Sequence, residues 1–275
     1  MTQRLGIFAW YGYQAPIEER LKAIAEAGFD ATCLWLGEEE ETVRAGKPGV
    51  MVEAARKLDL YIDNVHAELN NCNYIWSEKA DERRYISKEY KKGLHFCAEH
   101  DIPALVVHIC SSSTPPRMNQ NGLDLIGDLV EEANKQEVML AIENTRRQEY
   151  LDQVFSTFNS KYLGLCYDSG HDFLWGIPDF EILKKWGKLL TTVHLADNAG
   201  QQDDHWIPWE GKLDWPEVMN TLSREKYEGT LLLEVYPKTS EVKTQPAFLS
   251  QAYSTALKLK EIFARLSNPP VKNSP

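Results

Sequence analysis

Six strand-like runs in this chain each end in a side chain able to bind a metal. They are Asn64-Val65-His66, Val106-Val107-His108, Ala141-Ile142-Glu143, Cys166-Tyr167-Asp168, Thr192-Val193-His194 and Leu231-Leu232-Leu233-Glu234. Carboxylates and imidazoles at the ends of buried apolar strands are costly unless a cation or hydrogen bonds compensate them, so the repetition predicts one shared site. Glu143, Asp168, His194 and Glu234 together are a hard-to-borderline donor set, suited to one divalent metal (Mn²⁺, Zn²⁺, Co²⁺ or Mg²⁺) with positions left for two substrate oxygens. A cation holding a carbonyl and its neighbouring hydroxyl is a Lewis acid that stabilises the enediolate formed when a base removes the proton between them. Glu143 and Glu234, expected on opposite walls, are then the acid and base.

Such a site needs a scaffold that brings distant strand ends together. Short apolar runs alternate with longer amphipathic stretches throughout, the pattern of parallel βα units whose strands are buried on both faces. Strands are expected over 5–9, 31–36, 61–66, 104–109, 138–143, 162–168, 190–196 and 230–235, with helices over 16–27, 50–58, 81–100, 123–136 and 247–266 among those that follow them. Pro16 suits a first helical turn, and Asp214-Trp215-Pro216-Glu217 has the form of a capping box. Eight units in about 250 residues predict an α/β fold of the (β/α)8 TIM-barrel type, whose active site lies at the C-terminal strand ends. A doubly wound sheet is the competing architecture, but the dinucleotide glycine fingerprint is absent after the first strand. Alternation along the strands then points Ala141, Cys166, Thr192 and Leu232 inward with the donors, and Leu140, Leu165, Val193 and Leu233 toward the helices. No linker divides the chain, so one domain is expected over 1–266 with a flexible tail over 267–275.

Composition narrows the partners. A net charge of -11 argues against nucleic-acid binding, which draws much of its affinity from clustered Lys and Arg, and favours a small-molecule substrate. No apolar run approaches the roughly 20 residues that span a bilayer, and the N-terminus lacks the apolar core of a signal peptide, so no membrane partner and a cytoplasmic location are expected. The five scattered cysteines, Cys33, Cys72, Cys97, Cys110 and Cys166, lack a CxxC spacing and read as reduced thiols.

The chain resembles the xylose isomerase-like TIM barrel superfamily, which holds sugar phosphate isomerases and epimerases together with the class II AP endonucleases (AP endonuclease family 2). The likeness covers about residues 5 to 260. It is carried by Ala141-Ile142-Glu143-Asn144-Thr145, Tyr167-Asp168-Ser169-Gly170-His171, Val193-His194-Leu195-Ala196-Asp197-Asn198 and the segment from Asp203 to Trp215. The resemblance implies a mononuclear site on Glu143, Asp168, His194 and Glu234, with His171 touching substrate oxygens. It also implies a rival, because the endonuclease branch binds three zinc ions through nine ligands. This chain has a counterpart for each, adding His66, His108, His171, Asp203 and His205 as possible extra metal ligands.

Three features count against DNA repair. Asp204 stands where the endonucleases place an arginine, Glu38-Glu39-Glu40-Glu41 would repel phosphates, and the chain is acidic overall. The expected activity is therefore isomerisation or epimerisation of a small sugar, keto-sugar or hydroxy-keto acid, with a dehydratase of a keto-polyol as the close mechanistic alternative and an endonuclease-like phosphodiesterase as the distant one. Related barrels are often dimers or tetramers, so a homo-oligomer is allowed.

Substrate contacts are expected from His66, His108, His171 and His205 and from tryptophans near the strand ends, Trp10, Trp35 and Trp175 first, with Trp206 and Trp209 also considered, because aromatic faces cover the apolar faces of sugars. Packing at the barrel mouth is the alternative for each tryptophan, and a structural histidine bonded to backbone is the alternative for His66 and His108. Arg146 and Arg147 could grip a carboxylate or phosphate, or be solvated charges at a helix start.

Overall fold

The computed structural model describes residues 3–36, 48–67, 70–238 and 244–267. The acidic run Glu38 to Glu41 and the tail beyond Ser267 lie outside the described residues. Eight parallel strands form one sheet: β1 (Leu5–Phe8), β2 (Ala31–Trp35), β3 (Tyr61–His66), β4 (Ala104–Val107), β5 (Met139–Glu143), β6 (Leu163–Asp168), β7 (Leu190–His194) and β8 (Leu231–Leu233). From β1 to β7 each strand pairs with its sequence neighbours, and β8 pairs with β1. The ring closes between β7 and β8 by a parallel bridge just beyond β7, with Leu195 N–H donating to Leu232 O at 2.9 Å and Glu234 N–H donating to Leu195 O at 3.2 Å. This is the expected TIM barrel. The strands stop earlier than the apolar runs suggest: β4 ends at Val107 and β8 at Leu233, leaving His108 and Glu234 one residue past the ladder.

Helices fill the connections: α1 (Ile17–Ala27), α2 (Pro48–Lys57), α3 (Ala80–Glu99), α4 (Gln120–Gln136), α5 (Gln148–Thr157), α6 (Ser169–Trp175), α7 (Glu181–Trp186), α8 (Trp215–Arg224) and α9 (Gln245–Ser267). In α1, Ile17, Leu21 and Ile24 recur on one buried face, the 3.6-residue period of a helix packed on a sheet. Pro16 sits at its cap, so the helix starts one residue later than expected. Its C-terminal Gly28 has φ 107, a left-handed turn that suits a residue without Cβ. In α4, Asn119 caps the helix by accepting from Gly122 N–H at 2.9 Å. Asp214 does the same for α8, accepting from Glu217 N–H at 3.3 Å.

Leu140, Leu165, Val193 and Leu233 join the main apolar core. Ala141 and Cys166 instead meet Val106 in a separate buried cluster, as alternation along the strands requires. Around it the barrel interior is partly polar: Thr192 donates to Asp63 Oδ2 at 2.7 Å, and the Cys33 thiol donates to Asn64 Oδ1 at 2.9 Å. All five cysteines are buried and free. No helix among the described residues is long and apolar enough to cross a membrane.

Candidate metal centre and active site

The polar residues of the strand-end motifs stitch adjacent strand ends together. Asn144, directly after Glu143, accepts from Asp168 N–H at 2.7 Å and donates to Asp168 O at 2.9 Å, so its side-chain amide continues the ladder between β5 and β6. Ser169 Oγ exchanges hydrogen bonds with the Ala196 backbone, donating at 2.9 Å and accepting at 3.0 Å. Asn198 Nδ2 donates to Gly170 O at 3.0 Å. Asp168 caps α6 through Oδ1, which accepts from His171 N–H at 2.6 Å. The short helix thereby carries His171 over the barrel mouth.

Donor atoms of Glu143, Asp168, His194 and Glu234 all lie within 4.8 Å of one another, and all four residues are buried. His194 Nδ1 is 2.9 Å from Glu234 Oε2 and 3.3 Å from Glu143 Oε2, yet neither ring nitrogen is aligned for a hydrogen bond. Asp168 Oδ2 is also buried without a partner. Orphaned buried acceptors of this kind are rare and fit a cation ligated by these atoms. β5 and β8 are separated by two strands in the ring, so the two glutamates flank His194 and do not face each other across the full barrel. That corrects the expected opposite-wall placement.

Two further groups converge beside the first: His66, His108 and Glu143, and His171, Asp203 and His205. His66 Nδ1 faces Ala67 O at 2.9 Å, His171 Nδ1 faces Asn144 O at 2.9 Å and His205 Nδ1 faces Glu234 O at 3.0 Å. A backbone carbonyl at Nδ1 fixes the proton there and leaves Nε2 with a lone pair. Nε2 of each nevertheless faces a carboxylate: Glu143 at 3.1 Å from His66, and Asp203 at 3.0 Å from His171 and 3.2 Å from His205. Two acceptors on one imidazole require either a second proton or a cation between nitrogen and oxygen. His108 Nε2 lies 3.2 Å from Glu143 Oε2, and neither of its ring nitrogens has a hydrogen bond.

The charges follow from this crowding. Burial pushes the Glu143 carboxyl up, but the imidazoles of His108 and His194 overcome it and hold it well below the usual range. Burial likewise opposes ionisation of Glu234, and His194 and His205 bring it down to about 2. Asp168 goes the other way, because burial dominates and the neighbouring Glu143 and Glu234 add to it, to about 7. Against burial, which lowers it, contact with Asp203 and the charge of Glu234 raise His205 to about 9.

Asp203 and His205 reach the mouth on the loop after β7. Asp197 and Trp206 pair as an antiparallel bridge at its base, and His205 takes φ 49, a left-handed conformation uncommon for a residue with Cβ. Asp204 accepts from Ala199 N–H at 3.2 Å and from Gln202 Nε2 at 2.7 Å, so it shapes the loop from within.

The donors open into a cavity of about 280 Å³ that Trp10, Trp35, His66, His108, Glu143, His171, Asp203, His205 and Glu234 help to line. Phe8, Leu36 and Tyr236 also line it and are not among the expected contacts. Phe8 ends β1 and Leu36 closes the second expected run, so apolar strand ends point to the site as polar ones do. The Arg20 guanidinium backs this aromatic wall, 4.8 Å from the Trp10 ring and 5.2 Å from Trp35. Trp175 lies outside the lining; it stacks on His171 at 5.0 Å and carries Arg146 over its face at 4.1 Å. Trp206 and Trp209 serve packing instead, under Lys238 at 4.0 Å and Lys258 at 3.6 Å. Arg147 pairs with Glu149 at the start of α5. A larger open groove of about 760 Å³ lies outside the barrel, between α3 and α4, and holds none of the expected site residues.

Proteins with similar sequences include a dehydratase and an epimerase. An inosose dehydratase of Clostridium tetani is 27% identical over 132 residues, covering 41% of this chain and 44% of the relative. A fructoselysine 3-epimerase of Escherichia coli O157:H7 is 22% identical over 249 residues, covering 84% and 90%. The protein y4fM of Sinorhizobium fredii is 31% identical over 136 residues, covering 48% of this chain; the match spans 43% of that relative's length. The crystal structure of a D-tagatose 3-epimerase-like protein superposes with a TM-score of 0.75 at 21% identity, covering 96% of this chain and 98% of the other, a likeness of fold. Residues 21–252 match the xylose isomerase-like TIM barrel family, and the chain belongs to it.

Proposed function

We propose that this protein moves a proton on the carbon beside a carbonyl in a small, uncharged sugar or polyol ketone, as an isomerase or epimerase that uses one divalent cation. The observation that carries the reading is the convergence of Glu143, Asp168, His194 and Glu234, with Asp168 Oδ2 and both His194 nitrogens buried and unbonded. When bound there, the cation supplies Lewis-acid stabilisation of negative charge on substrate oxygens. Glu143 and Glu234 flank the same point, so one, ionised, accepts the carbon-bound proton and the other, entering that turnover protonated, returns one. His171 and His205 orient hydroxyls, and Trp10, Trp35 and Phe8 cover the apolar face of the substrate and exclude water.

The cavity argues for the substrate class. Its volume of about 280 Å³ lies just below the usual span of small-ligand sites, roughly 300–1,000 Å³, and suits a small substrate. Among the described residues that line it there is no Lys or Arg, while Glu143, Asp203 and Glu234 bring negative charge. A phosphorylated or carboxylated substrate would find no guanidinium or ammonium group to pair with in that lining. Loss of a hydroxyl next to the same carbanion gives a dehydratase instead, the reaction named for the clostridial relative.

The two additional histidine–carboxylate groups favour a second reading, a three-zinc phosphodiesterase. Metal analysis combined with exchange of substrate carbon-bound protons in D₂O, over a panel of ketoses and keto-inositols, separates the two. One metal per chain with exchange supports the proposal. Three tightly held zinc ions with cleavage of abasic DNA and no exchange would overturn it.

A further inference from the structure

One layer inside the four-residue group lies a thiol. Cys166 is two residues before Asp168 on β6 and so shares its inward face; across the sheet it pairs in register with Glu143 on one side and Thr192 on the other. It is fully buried, in the small interior cluster with Val106 and Ala141. Its sulfur, a Glu143 carboxylate oxygen and a His194 ring nitrogen lie within 4.8 Å of one another. His194 is 1% exposed, and both of its ring nitrogens lack hydrogen-bond partners. A neutral imidazole offers one lone pair, so His194 serves either the outer group or this inner one, not both at once.

We infer that Cys166, Glu143 and His194 form a second, softer cation position inside the barrel, which takes Zn²⁺ or Cd²⁺ in preference to Mn²⁺ or Mg²⁺. This rests on the proposed reading of Glu143 and His194 as metal ligands. Thiolate selects soft cations, whereas the outer group without it is dominated by carboxylates, the donors of harder ones. An ion with bonds of about 2.0–2.3 Å to sulfur, nitrogen and oxygen draws its ligands to about 3.3–3.6 Å apart, so the three donors need close only modestly around it. As the metal–sulfur bond forms, the thiol proton leaves to solvent and no electrons are transferred. Thiolate and carboxylate then neutralise the divalent charge, which suits a buried position. Because Glu143 and His194 belong to both positions, occupation of the inner one withdraws them from the outer one. A soft cation therefore displaces the working ion and stops turnover.

The test uses the metal-stripped full chain and two probes, Cd²⁺ followed by its thiolate-to-metal charge-transfer absorption and Mn²⁺ followed by electron paramagnetic resonance. The wild type and Cys33→Ser, which alters the other thiol close to His194, should develop the band as Cd²⁺ reaches one equivalent. Cys166→Ser and Cys166→Ala should lack it, with Cd²⁺ affinity weaker by about tenfold or more and Mn²⁺ affinity little changed. If the Cys166 variants fail to fold, the ¹¹³Cd chemical shift of Cys33→Ser reads the sulfur ligand directly. Cd²⁺ bound without the band, or a band that survives in Cys166→Ala, overturns the inference while leaving the outer site intact. Failure of Mn²⁺ as well as Cd²⁺ to bind removes the outer site too.

Discussion

Asp168 and Asp197 are fully buried carboxylates at the same rim of the barrel, one at the end of β6 and the other three residues past β7. Asp197 is saturated. Oδ1 accepts from Asn198 N–H at 2.9 Å and Leu213 N–H at 3.1 Å, and Oδ2 from Trp209 N–H at 2.9 Å and Trp215 Nε1 at 2.8 Å. Asp168 has one good donor on Oδ1, none on Oδ2, and two other carboxylates for neighbours. A buried carboxylate ringed by N–H groups is complete and builds structure, whereas one left half-satisfied among like charges is built for something the chain does not supply. Sequence alone shows an acid after an apolar run in both places.

Substitutions at these carboxylates should separate the two kinds of acid. The largest effect is expected from Glu143→Gln and Glu234→Gln, each lowering turnover by about 10³-fold or more with an unchanged circular dichroism spectrum. Full activity in both variants would remove the ligand cluster from the chemistry. Asp197→Ala strips the acceptor from four N–H groups and should cost about 3–5 kcal/mol in urea unfolding, with the loop carrying Asp203 and His205 loosened. A cost no greater than that of a surface substitution would erase the contrast.

Mn²⁺ at about 100 times its Kd should then stabilise the wild type by about 2.7 kcal/mol, and Asp168→Asn hardly at all. The smallest effect is an increase: in the metal-free protein Asp168→Asn should raise Tm, by about 2–4 °C for each kcal/mol gained. The folded Asp168 has its carboxyl raised from 3.8 to about 7, so the folded state holds its proton longer than the unfolded chain does. The wild type therefore loses stability as pH rises through that interval, and the advantage of Asn should grow from pH 3.8 to about 7 and be absent below it. Equal melting profiles across that range would contradict the placement of Asp168 among like charges.

The barrel was legible because buried parallel strands are apolar along their length, so a polar terminus stands out. His66, Glu143, Asp168 and His194 are the last residues of β3, β5, β6 and β7. What the strands could not disclose lay in connections. Asp203 and His205 are placed by a left-handed turn and by Asp197, whose partners Leu213 and Trp215 follow it by 16 and 18 residues with no periodic signal. Gly211 is bound to the same device, since a Cβ there would sit 2.2 Å from Asp197 Oδ1. The tryptophans divided for a similar reason. Trp35 ends β2, Trp10 comes two residues after β1, and both line the cavity, whereas Trp206 and Trp209 are claimed by lysines more than thirty residues away.

The closure of the ring has a mechanical consequence. Seven of the eight neighbouring pairs are joined by runs of registered residues, but among the described residues β7 and β8 pair through the Leu195 and Leu233 bridge alone. His194 and Glu234 flank that bridge, one on each lip. An ion gripping both would act as a clasp across the weakest joint of the cylinder, so ion loss should open the Leu195 and Glu234 amides to deuterium before any others in the sheet.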